Sequence, residues 1–230
     1  MRAVTRSHER GTGDHGWLKS HHTFSFGDYY NPDKMGFGPL RVINEDRVAP
    51  GMGFGTHPHN NMEIFSYVIE GELAHKDSMG NGRTIRAGEL QAMSAGTGVA
   101  HSEFNPSSDT PVHFLQIWIT PNQRNLEPSY AEWKPSGENS GPLTLLVSPD
   151  ARDGSLKVHQ EAEIYLGNVQ AGEHISFPIS EGKKVWLQMI RGGVKVDTEA
   201  LRDGDALSVI DEATLEINAT SDAKFLLFAV

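Results

Sequence analysis

The most informative absence in this sequence is cysteine, of which the 230 residues contain none. Disulfide bonds, thiolate catalysis and zinc sites built from cysteine are therefore excluded. Runs of five or six basic residues are absent as well, and the formal net charge is −10 at pH 7. A surface this acidic repels phosphate backbones and anionic lipid, so we expect neither nucleic acid nor a membrane as a direct partner.

Long apolar runs are also missing. No stretch of about 18 apolar residues is present that could span a membrane. The opening segment, MRAVTRSHERGTGDHG, is polar and lacks the apolar core of a signal peptide. From these two features we expect a cytoplasmic protein.

A helical period sustained over three or more turns is not found either, whereas short apolar or alternating runs are frequent. Glycine (24 residues) and proline (12 residues) separate these runs, and Asn81-Gly82 is a hairpin turn signal. Such runs with turn signals between them are typical of the strands of a sandwich or barrel. Because 37% of the residues are hydrophobic and can supply a core, the sequence predicts an all-β fold. The predicted strands are 64–69, 89–93, 112–119, 143–147, 185–190 and 225–230.

The segment 121–142 differs from the rest of the chain. It is rich in Pro, Gly, Asn, Ser and Glu and has few apolar residues. We interpret it as a linker between two halves, with a short helix near 130–133. The predicted domains are 1–132 and 133–230.

The two halves resemble copies of one another. Gly51 and Gly71 flank a predicted strand in the first half, and Gly172 and Gly192 flank one in the second half at an identical shift along the chain. Two similar β units in tandem are the economical interpretation. Chance similarity between glycine-punctuated strands is the alternative.

His57 and His59 lie two residues apart at the start of a predicted strand, and His101 and Glu103 repeat this spacing on a later one. Residues two apart on a strand point to the same face, so each pair can reach one point. Two such strands side by side would offer three imidazoles and one carboxylate. This set suits Fe, Mn, Co, Ni, Cu or Zn better than calcium or magnesium. A metal that prefers five or six ligands would keep open positions for substrate or dioxygen.

The second half provides an internal control for this ligand set. When the two halves are aligned on their matching glycines, Pro178 and Ser180 occupy the positions of His57 and His59. Leu215 and Ile217 fall roughly where the later pair lies. Strands of this kind therefore do not need histidine, which indicates that the histidines serve a metal held in the first half alone.

Two longer patterns surround the candidate ligands. They are Gly51-x5-His57-x-His59-x3-Glu63-x7-Gly71 and Gly88-x5-Ser94-x-Gly96-x4-His101-x3-Asn105. Both resemble the motifs of the cupin superfamily, with one extra residue in the last spacer of the first. The second has serine in place of proline and two extra residues before its histidine.

These departures point to one family within the superfamily. Together with His-Thr-Phe-Ser-Phe at 22–26, Ser-Ala-Gly-Thr-Gly at 94–98 and His-Ser-Glu-Phe-Asn at 101–105, they are similar to the pirin family. Ser-Pro-Asp-Ala-Arg-Asp-Gly-Ser at 148–155 is similar to its bacterial members. The resemblance covers essentially the whole chain.

The resemblance implies a bicupin, with two tandem jelly-roll β-barrels and the metal in the N-terminal one. The family's ligands match His57, His59, His101 and Glu103, and the expected cofactor is one divalent ion per chain, iron before Mn, Co, Ni, Cu or Zn. Some members have quercetin 2,3-dioxygenase activity. We therefore expect an oxidoreductase whose partners are an aromatic small molecule and dioxygen. Glu103, or a nearby carboxylate, would take the substrate's hydroxyl proton as general base.

Two other functions stay open at this point. Animal members of the family act as metal-containing transcriptional cofactors, which implies a regulatory protein with a protein partner and no physiological flavonol turnover. A metal-assisted isomerase rests only on the breadth of cupin functions.

The remaining candidate residues are expected to have supporting roles. Glu63 shares the strand parity of His59, but the resemblance assigns the carboxylate ligand to Glu103, so Glu63 is expected to form hydrogen bonds between strands. His113 is expected to face inward beside the ligands. Structural, strand or surface positions are expected for His21, His22, His75, His159 and His174, and an apolar wall for a flat ligand is expected from Met52, Phe54 and Phe65.

Overall fold

The computed structural model describes residues 1–136 and 141–230. Apart from two 3-10 turns, Ser7–Glu9 and Arg152–Gly154, the regular elements in these residues are β-strands. The all-β prediction is confirmed. Within these two ranges, no helix is long and apolar enough to cross a membrane. Part of the predicted linker, 137–140, lies outside the described residues.

Most strands in the described residues are joined by short turns, whereas residues 23–39 form a long connection. In order, the strands are β1 (Arg2–Thr5), β2 (Gly11–Asp14), β3 (Leu18–His22), β4 (Leu40–Val48), β5 (Gly53–His59), β6 (Glu63–Glu70), β7 (Glu72–Asp77), β8 (Gly82–Arg86), β9 (Leu90–Ser94), β10 (Val99–Phe104), β11 (Val112–Ile119), β12 (Ser129–Trp133), β13 (Leu143–Ser148), β14 (Leu156–Lys157), β15 (Glu163–Val169), β16 (His174–Pro178), β17 (Val185–Arg191), β18 (Val194–Val196), β19 (Glu199–Leu201), β20 (Ala206–Val209), β21 (Thr214–Ala219) and β22 (Ala223–Ala229).

The chain divides into two compact units. The N-terminal unit contains Gly11–Pro135 and Val158–Gln160, and the C-terminal unit contains Met1–Arg10, Ser136–Lys157 and Glu161–Val230. The first ten residues join the C-terminal unit because β1 pairs antiparallel with β20. The domain limits 1–132 and 133–230 remain a prediction.

Each unit consists of two sheets. The N-terminal unit has the strand orders β12-β9-β6-β11-β4-β3-β2 and β5-β10-β7-β8, and the C-terminal unit has β1-β20-β17-β22-β15-β13-β14 and β16-β21-β18-β19. In both units, buried apolar side chains from the two sheets pack against one another, with Phe114 and Leu73 in the first and Phe225 and Leu215 in the second. Each unit is a two-sheet jelly roll.

The predicted internal repeat is confirmed by the topology. The order β5-β10-β7-β8 returns as β16-β21-β18-β19, with every strand number raised by the same amount. The turn glycines repeat as well, since Gly71 and Gly192 have φ angles of +77° and +78°. A Cβ at Gly71 would lie 2.9 Å from the Pro111 carbonyl oxygen, and one at Gly192 would lie 1.9 Å from that of Asp222. Positive φ and close backbone approach explain why glycine occupies both positions.

The expected helix near 130–133 is wrong. Residues Ser129–Trp133 form β12, which pairs antiparallel with β9, with Ser129 opposite Ser94 and Trp133 opposite Leu90. A helix of one turn satisfies few backbone groups, whereas the free edge of β9 offers a hydrogen-bond partner to the whole segment.

Candidate metal centre

Strands β5 and β10 bring three histidines to one point in the N-terminal unit. The strands pair antiparallel, with His57 opposite His101 and His59 opposite Val99. The three ring centroids lie 4.5 to 4.9 Å apart. One ring nitrogen from each histidine lies within 4.8 Å of the others. The spacing that the sequence singled out thus places three imidazole nitrogens around one small volume.

The hydrogen bonds of these histidines leave lone pairs free for a cation. His57 Nδ1 lies 2.7 Å from the Gly55 carbonyl oxygen, which only accepts, so Nδ1 carries the proton and Nε2 is left with its lone pair. That Nε2 lies 3.1 Å from His101 Nε2. The buried Nε2 of His59 has no hydrogen-bond partner among the described residues. A buried polar atom without a partner is costly, and a divalent ion would satisfy it.

The protonation state of the cluster also suits a metal. Burial, followed by the neighbouring His57, lowers the pKa of His59 to about 4. Burial, followed by the neighbouring histidines, lowers the pKa of His101 to about 3. Both imidazoles are therefore neutral near pH 7, the form that coordinates metal. The residues present fit one divalent ion, and their assignment as its ligands stays a prediction.

Glu103 lies near this cluster but does not join the group of three histidines. The β5–β10 register shifts between His101 and Glu103, which marks a bulge. A Glu103 carboxylate oxygen instead lies within 4.8 Å of ligand atoms of His101 and His75. The predicted roles of Glu103, metal ligand and catalytic base, both stay predictions.

Three polar side chains of the barrel interior hold the Glu103 carboxylate. Ser66 Oγ and Gln91 Nε2 donate to Oε1 at 2.8 and 2.6 Å. Gln116 Nε2 donates to Oε2 at 3.3 Å. Burial nevertheless raises the pKa of Glu103 to about 7. This carboxyl group can therefore exchange a proton near neutral pH.

A histidine–carboxylate pair on β7 lies behind His101. His75 Nδ1 is 3.5 Å from His101 Nδ1, and His75 Nε2 is 2.9 Å from Asp77 Oδ2. Both side chains are fully buried. Burial opposes ionisation of Asp77, but hydrogen bonds from His75 and Asn81 outweigh it and lower the pKa of Asp77. From the sequence, His75 was expected at a surface or strand position and the pair was not predicted, although its His-x-Asp spacing is that of two residues on one strand face.

Aromatic rings flank the histidine cluster on the side of His59. Trp118 contacts His59 edge to face with ring centroids 4.9 Å apart, and Phe26 contacts Trp118 in the same way at 5.4 Å. Neither ring was predicted from the sequence, although Trp118 shares its strand face with Gln116. Phe54, which was selected from the sequence, packs against Trp17 at 5.4 Å.

The remaining candidates divide between expected and unexpected positions. As expected, Glu63 accepts a hydrogen bond from Ser94 Oγ at 2.6 Å. The expectation for His113 is wrong, since it lies one residue out of phase with Gln116 on β11 and contacts Glu45 through Nε2 at 2.9 Å. Adjacent strand residues point to opposite faces, so His113 cannot line the same interior as Gln116. His22, His159 and His174 contact Asn44, Glu63 and Glu216 respectively.

At the positions that correspond to these histidines, the strands of the C-terminal unit carry apolar side chains. Phe177 lies opposite Leu215 on β16 and β21, as His57 lies opposite His101. The residues expected there, Pro178 and Ser180, are exposed, so that expectation is wrong by one residue. The loop after the turn glycine is one residue shorter in this unit, and a slip of one residue moves a side chain to the opposite face. In residues 1–10 and 141–230, no group of three potential metal-ligating side chains was found.

Two jelly rolls in tandem, the first with a histidine cluster inside it, define a two-domain cupin. The model of the family described as Pirin matches residues 3–119, and the model described as quercetinase C-terminal cupin domain matches residues 145–230. The chain belongs to the pirin family.

Relatives span nearly the full length of the chain. It is 48% identical over 225 residues to quercetin 2,3-dioxygenase from Escherichia coli, covering 98% of this chain and 96% of the relative. It is 39% identical to a pirin-like protein from Caulobacter vibrioides, covering 94% of each. The crystal structure of the bacterial pirin YhhW from Escherichia coli in complex with nickel(II) superimposes with a TM-score of 0.96 at 46% identity, covering 100% of this chain and 99% of that one. These comparisons confirm the predicted family and the tandem cupin fold, and they support one divalent metal ion.

Proposed function

We propose that this chain is a metal-dependent dioxygenase that acts on flavonols such as quercetin. The observation that carries the proposal is the cluster of His57, His59 and His101, whose ring nitrogens lie within 4.8 Å of one another beside an aromatic wall. The quercetin 2,3-dioxygenase relative at 48% identity supports the substrate class. In this proposal the three histidines and Glu103 hold the metal.

A bound divalent ion would supply Lewis acidity to the adjacent hydroxyl and ketone oxygens of a flavonol. The protein's own contribution begins with the three imidazoles, which are neutral when they coordinate a metal, so Glu103 is the proposed ligand that can offset part of the positive charge on the ion. Trp118 and Phe26 offer ring faces and edges beside His59, a surface that suits a flat aromatic substrate. The buried Nε1 of Trp118 has no hydrogen-bond partner among the described residues, so it can donate to an oxygen of the substrate.

Glu103 is the proposed general base. Its Oε1 accepts two short hydrogen bonds, whereas Oε2 accepts only the longer one from Gln116 among the contacts of the described residues, at 3.3 Å. Oε2 is therefore the oxygen with capacity to accept a proton from the flavonol hydroxyl group.

The test is oxygen uptake on a panel of flavonols by wild-type protein and Glu103→Gln, with the metal content of each sample measured. The amide keeps the shape of the side chain and removes its basicity. We expect Glu103→Gln to retain metal at saturating ion and to lose turnover per bound metal by about a hundredfold or more. Glu63→Gln is the matched control, since Glu63 is also a buried carboxylate that accepts from a serine but lies outside the histidine cluster.

The outcomes separate the roles of this carboxylate. Equal turnover per bound metal in wild type and Glu103→Gln would remove the base and leave a ligand at most. Wild-type protein that is inactive on every flavonol with every metal would contradict the dioxygenase proposal. It would favour the regulatory protein with a protein partner, the alternative that the resemblance left open.

A further inference from the structure

His75 and Asp77 form a buried chain of hydrogen bonds that ends on a proposed metal ligand. Strand β7 pairs with β10 on the side away from β5, with Asp77 opposite His101 and His75 opposite Glu103. His75 bridges the two, with Nδ1 3.5 Å from His101 Nδ1 and Nε2 2.9 Å from Asp77 Oδ2. His75 also stacks on Tyr130, with ring centroids 4.6 Å apart and an interplanar angle of 23°.

The donors around Asp77 fix the proton positions along this chain. Asp77 Oδ1 accepts from the backbone N–H groups of Met79 and Asn81 at 2.9 and 3.0 Å. Asp77 Oδ2 accepts from the Asn81 side-chain amide at 2.9 Å and faces His75 Nε2. A carboxylate only accepts, so His75 carries its proton on Nε2 and presents a lone pair at Nδ1.

That lone pair determines the tautomer of the next ring. His101 Nδ1 faces a nitrogen that can only accept, so the His101 proton lies on Nδ1. His101 Nε2 is then deprotonated and directed toward the cluster, where it lies 3.1 Å from His57 Nε2. The His101 tautomer that binds a metal through Nε2 is thus determined by Asp77, which acts through His75 and is not itself a proposed ligand.

We propose that His75, fixed by Asp77, is a positioning residue that holds His101 in the metal-binding Nδ1–H tautomer before the ion arrives. The proposal rests on the proposed metal site, because it assigns His101 Nε2 to the ion. It adds that metal affinity depends on a strand, β7, that contributes no ligand to the proposed set.

Asp77→Asn tests this with a nearly isosteric change. The backbone N–H groups of Met79 and Asn81 would hold the amide oxygen at the Oδ1 position, leaving the amide nitrogen to face His75. That nitrogen donates, so the His75 proton moves to Nδ1 and meets the proton on His101 Nδ1. We expect nickel(II) affinity, measured by competition with a chelator, to fall about 10- to 100-fold.

Two further variants separate positioning from general damage. His75→Phe keeps a stacking ring on Tyr130 but removes the acceptor, so it should weaken nickel(II) binding to a similar extent, and adding Asp77→Asn to it should have no further effect. Glu45→Gln is the matched control, because Glu45 and His113 form another histidine–carboxylate contact, at 2.9 Å and partly buried, outside the cluster. We expect its nickel(II) affinity to equal that of wild type.

The tautomer itself is measured in metal-free protein by nitrogen NMR of the histidine rings. The proposal predicts the Nδ1–H form of His101 in wild type and a shift toward the Nε2–H form in Asp77→Asn. Wild-type His101 in the Nε2–H form, or nickel(II) affinity in Asp77→Asn within twofold of wild type, would overturn it. Wild-type protein that binds no nickel(II) would refute the metal site instead, while the tautomer measurement would still test the hydrogen-bond chain.

Discussion

The two jelly rolls use equivalent strand pairings to enclose different interiors. In the N-terminal unit, Ser66 on β6 lies between Gln91 and Gln116 on the neighbouring strands. In the C-terminal unit, the corresponding position on β17 is Leu187, between Leu207 and Leu227. The polar trio holds Glu103, whereas the leucine trio packs into an apolar core.

The same contrast extends to the candidate ligands. The pairing of His57 with His101 is repeated as Phe177 with Leu215, and the position of His75 on β7 is occupied by Val196 on β18. The fold therefore does not require polar groups in this interior. A buried polar side chain costs free energy unless it is paired, so the polar interior of the N-terminal unit is best explained by a site that needs it.

The strongest way to break the contrast is to give the N-terminal unit the side chains of its counterpart. His57→Phe, His59→Ile and His101→Leu combined should abolish tight divalent metal binding, because three of the four proposed ligands are removed. The β fold should persist, since residues of these types already pack in the C-terminal unit. Metal content and far-UV circular dichroism check both outcomes. The control is His174→Phe, an exposed histidine whose loss should leave metal content unchanged. Stoichiometric metal in the triple variant would show that the ligands are elsewhere.

The reverse exchange places a polar group in the apolar interior. Leu187 is fully buried, so Leu187→Ser should lower the free energy of unfolding by about 3–5 kcal/mol through a cavity and an unpaired hydroxyl group. Ser66→Ala should cost about 1–3 kcal/mol, because it removes one donor from Glu103 without a comparable cavity. Chemical denaturation of the metal-free proteins measures both. A Leu187→Ser variant no less stable than Ser66→Ala would mean that the two interiors tolerate polarity equally.

A third prediction concerns the pH dependence of stability, which should arise in the N-terminal unit. Asp46 is buried there and lies opposite Phe114. The equivalent pair in the C-terminal unit is Gly167 opposite Phe225, so that unit has no carboxylate at this position. Burial, opposed by a hydrogen bond from Ser20, raises the pKa of Asp46 from 3.8 to about 7. Between these values the folded protein keeps the proton that the unfolded chain releases, so its stability falls as pH rises from about 4 to 7.

The Asp46→Asn variant isolates this contribution. The slope due to one such group is at most about 1.4 kcal/mol per pH unit, fully lost above the folded pKa. Urea denaturation of metal-free wild type and Asp46→Asn at several pH values gives the difference, which includes the loss of the Asp46 charge that helps to raise the pKa of Glu103. We expect the variant to lose part of the decline between pH 4 and 7. Parallel curves for the two proteins would mean that Asp46 is ionised in the folded state.

The smallest expected effect comes from adding histidines to the wrong face of the C-terminal unit. The double variant Pro178→His and Ser180→His introduces the His-x-His spacing at two exposed positions, the last residue of β16 and the second residue after it. We expect no gain of tight metal binding and a stability change within about 1 kcal/mol, as is usual for surface substitutions. A second bound equivalent of metal would show that the spacing alone suffices.

Much of this architecture could be predicted from the sequence, because short glycine-punctuated runs determine strands and a period of two determines faces. The predicted run 112–119 is β11, and the shift between Gly71 and Gly192 identified the repeat. The one-residue error at Pro178 arose because aligning the two halves on their glycines does not reveal that the loop after the first aligned glycine is one residue shorter in the C-terminal unit. The helix near 130–133 was wrong because strand formation there depends on β9, which is distant in sequence.

The candidate site was only partly visible in the sequence for a similar reason. Ligand spacing within one strand can be read directly, so His57, His59 and His101 were found together. The bulge between His101 and Glu103, the contact of His75 with His101, and the position of Trp118 against His59 depend on pairings between strands. Such pairings follow from the tertiary fold, and no local pattern specifies them.

The most direct test of the difference between the two units is anomalous diffraction from crystals of the protein loaded with zinc(II). The account predicts one anomalous peak per chain, about 2.1 Å from a ring nitrogen of each of His57, His59 and His101 and within coordination distance of Glu103. A peak bound by other side chains, or a second strong peak inside the C-terminal unit, would contradict it.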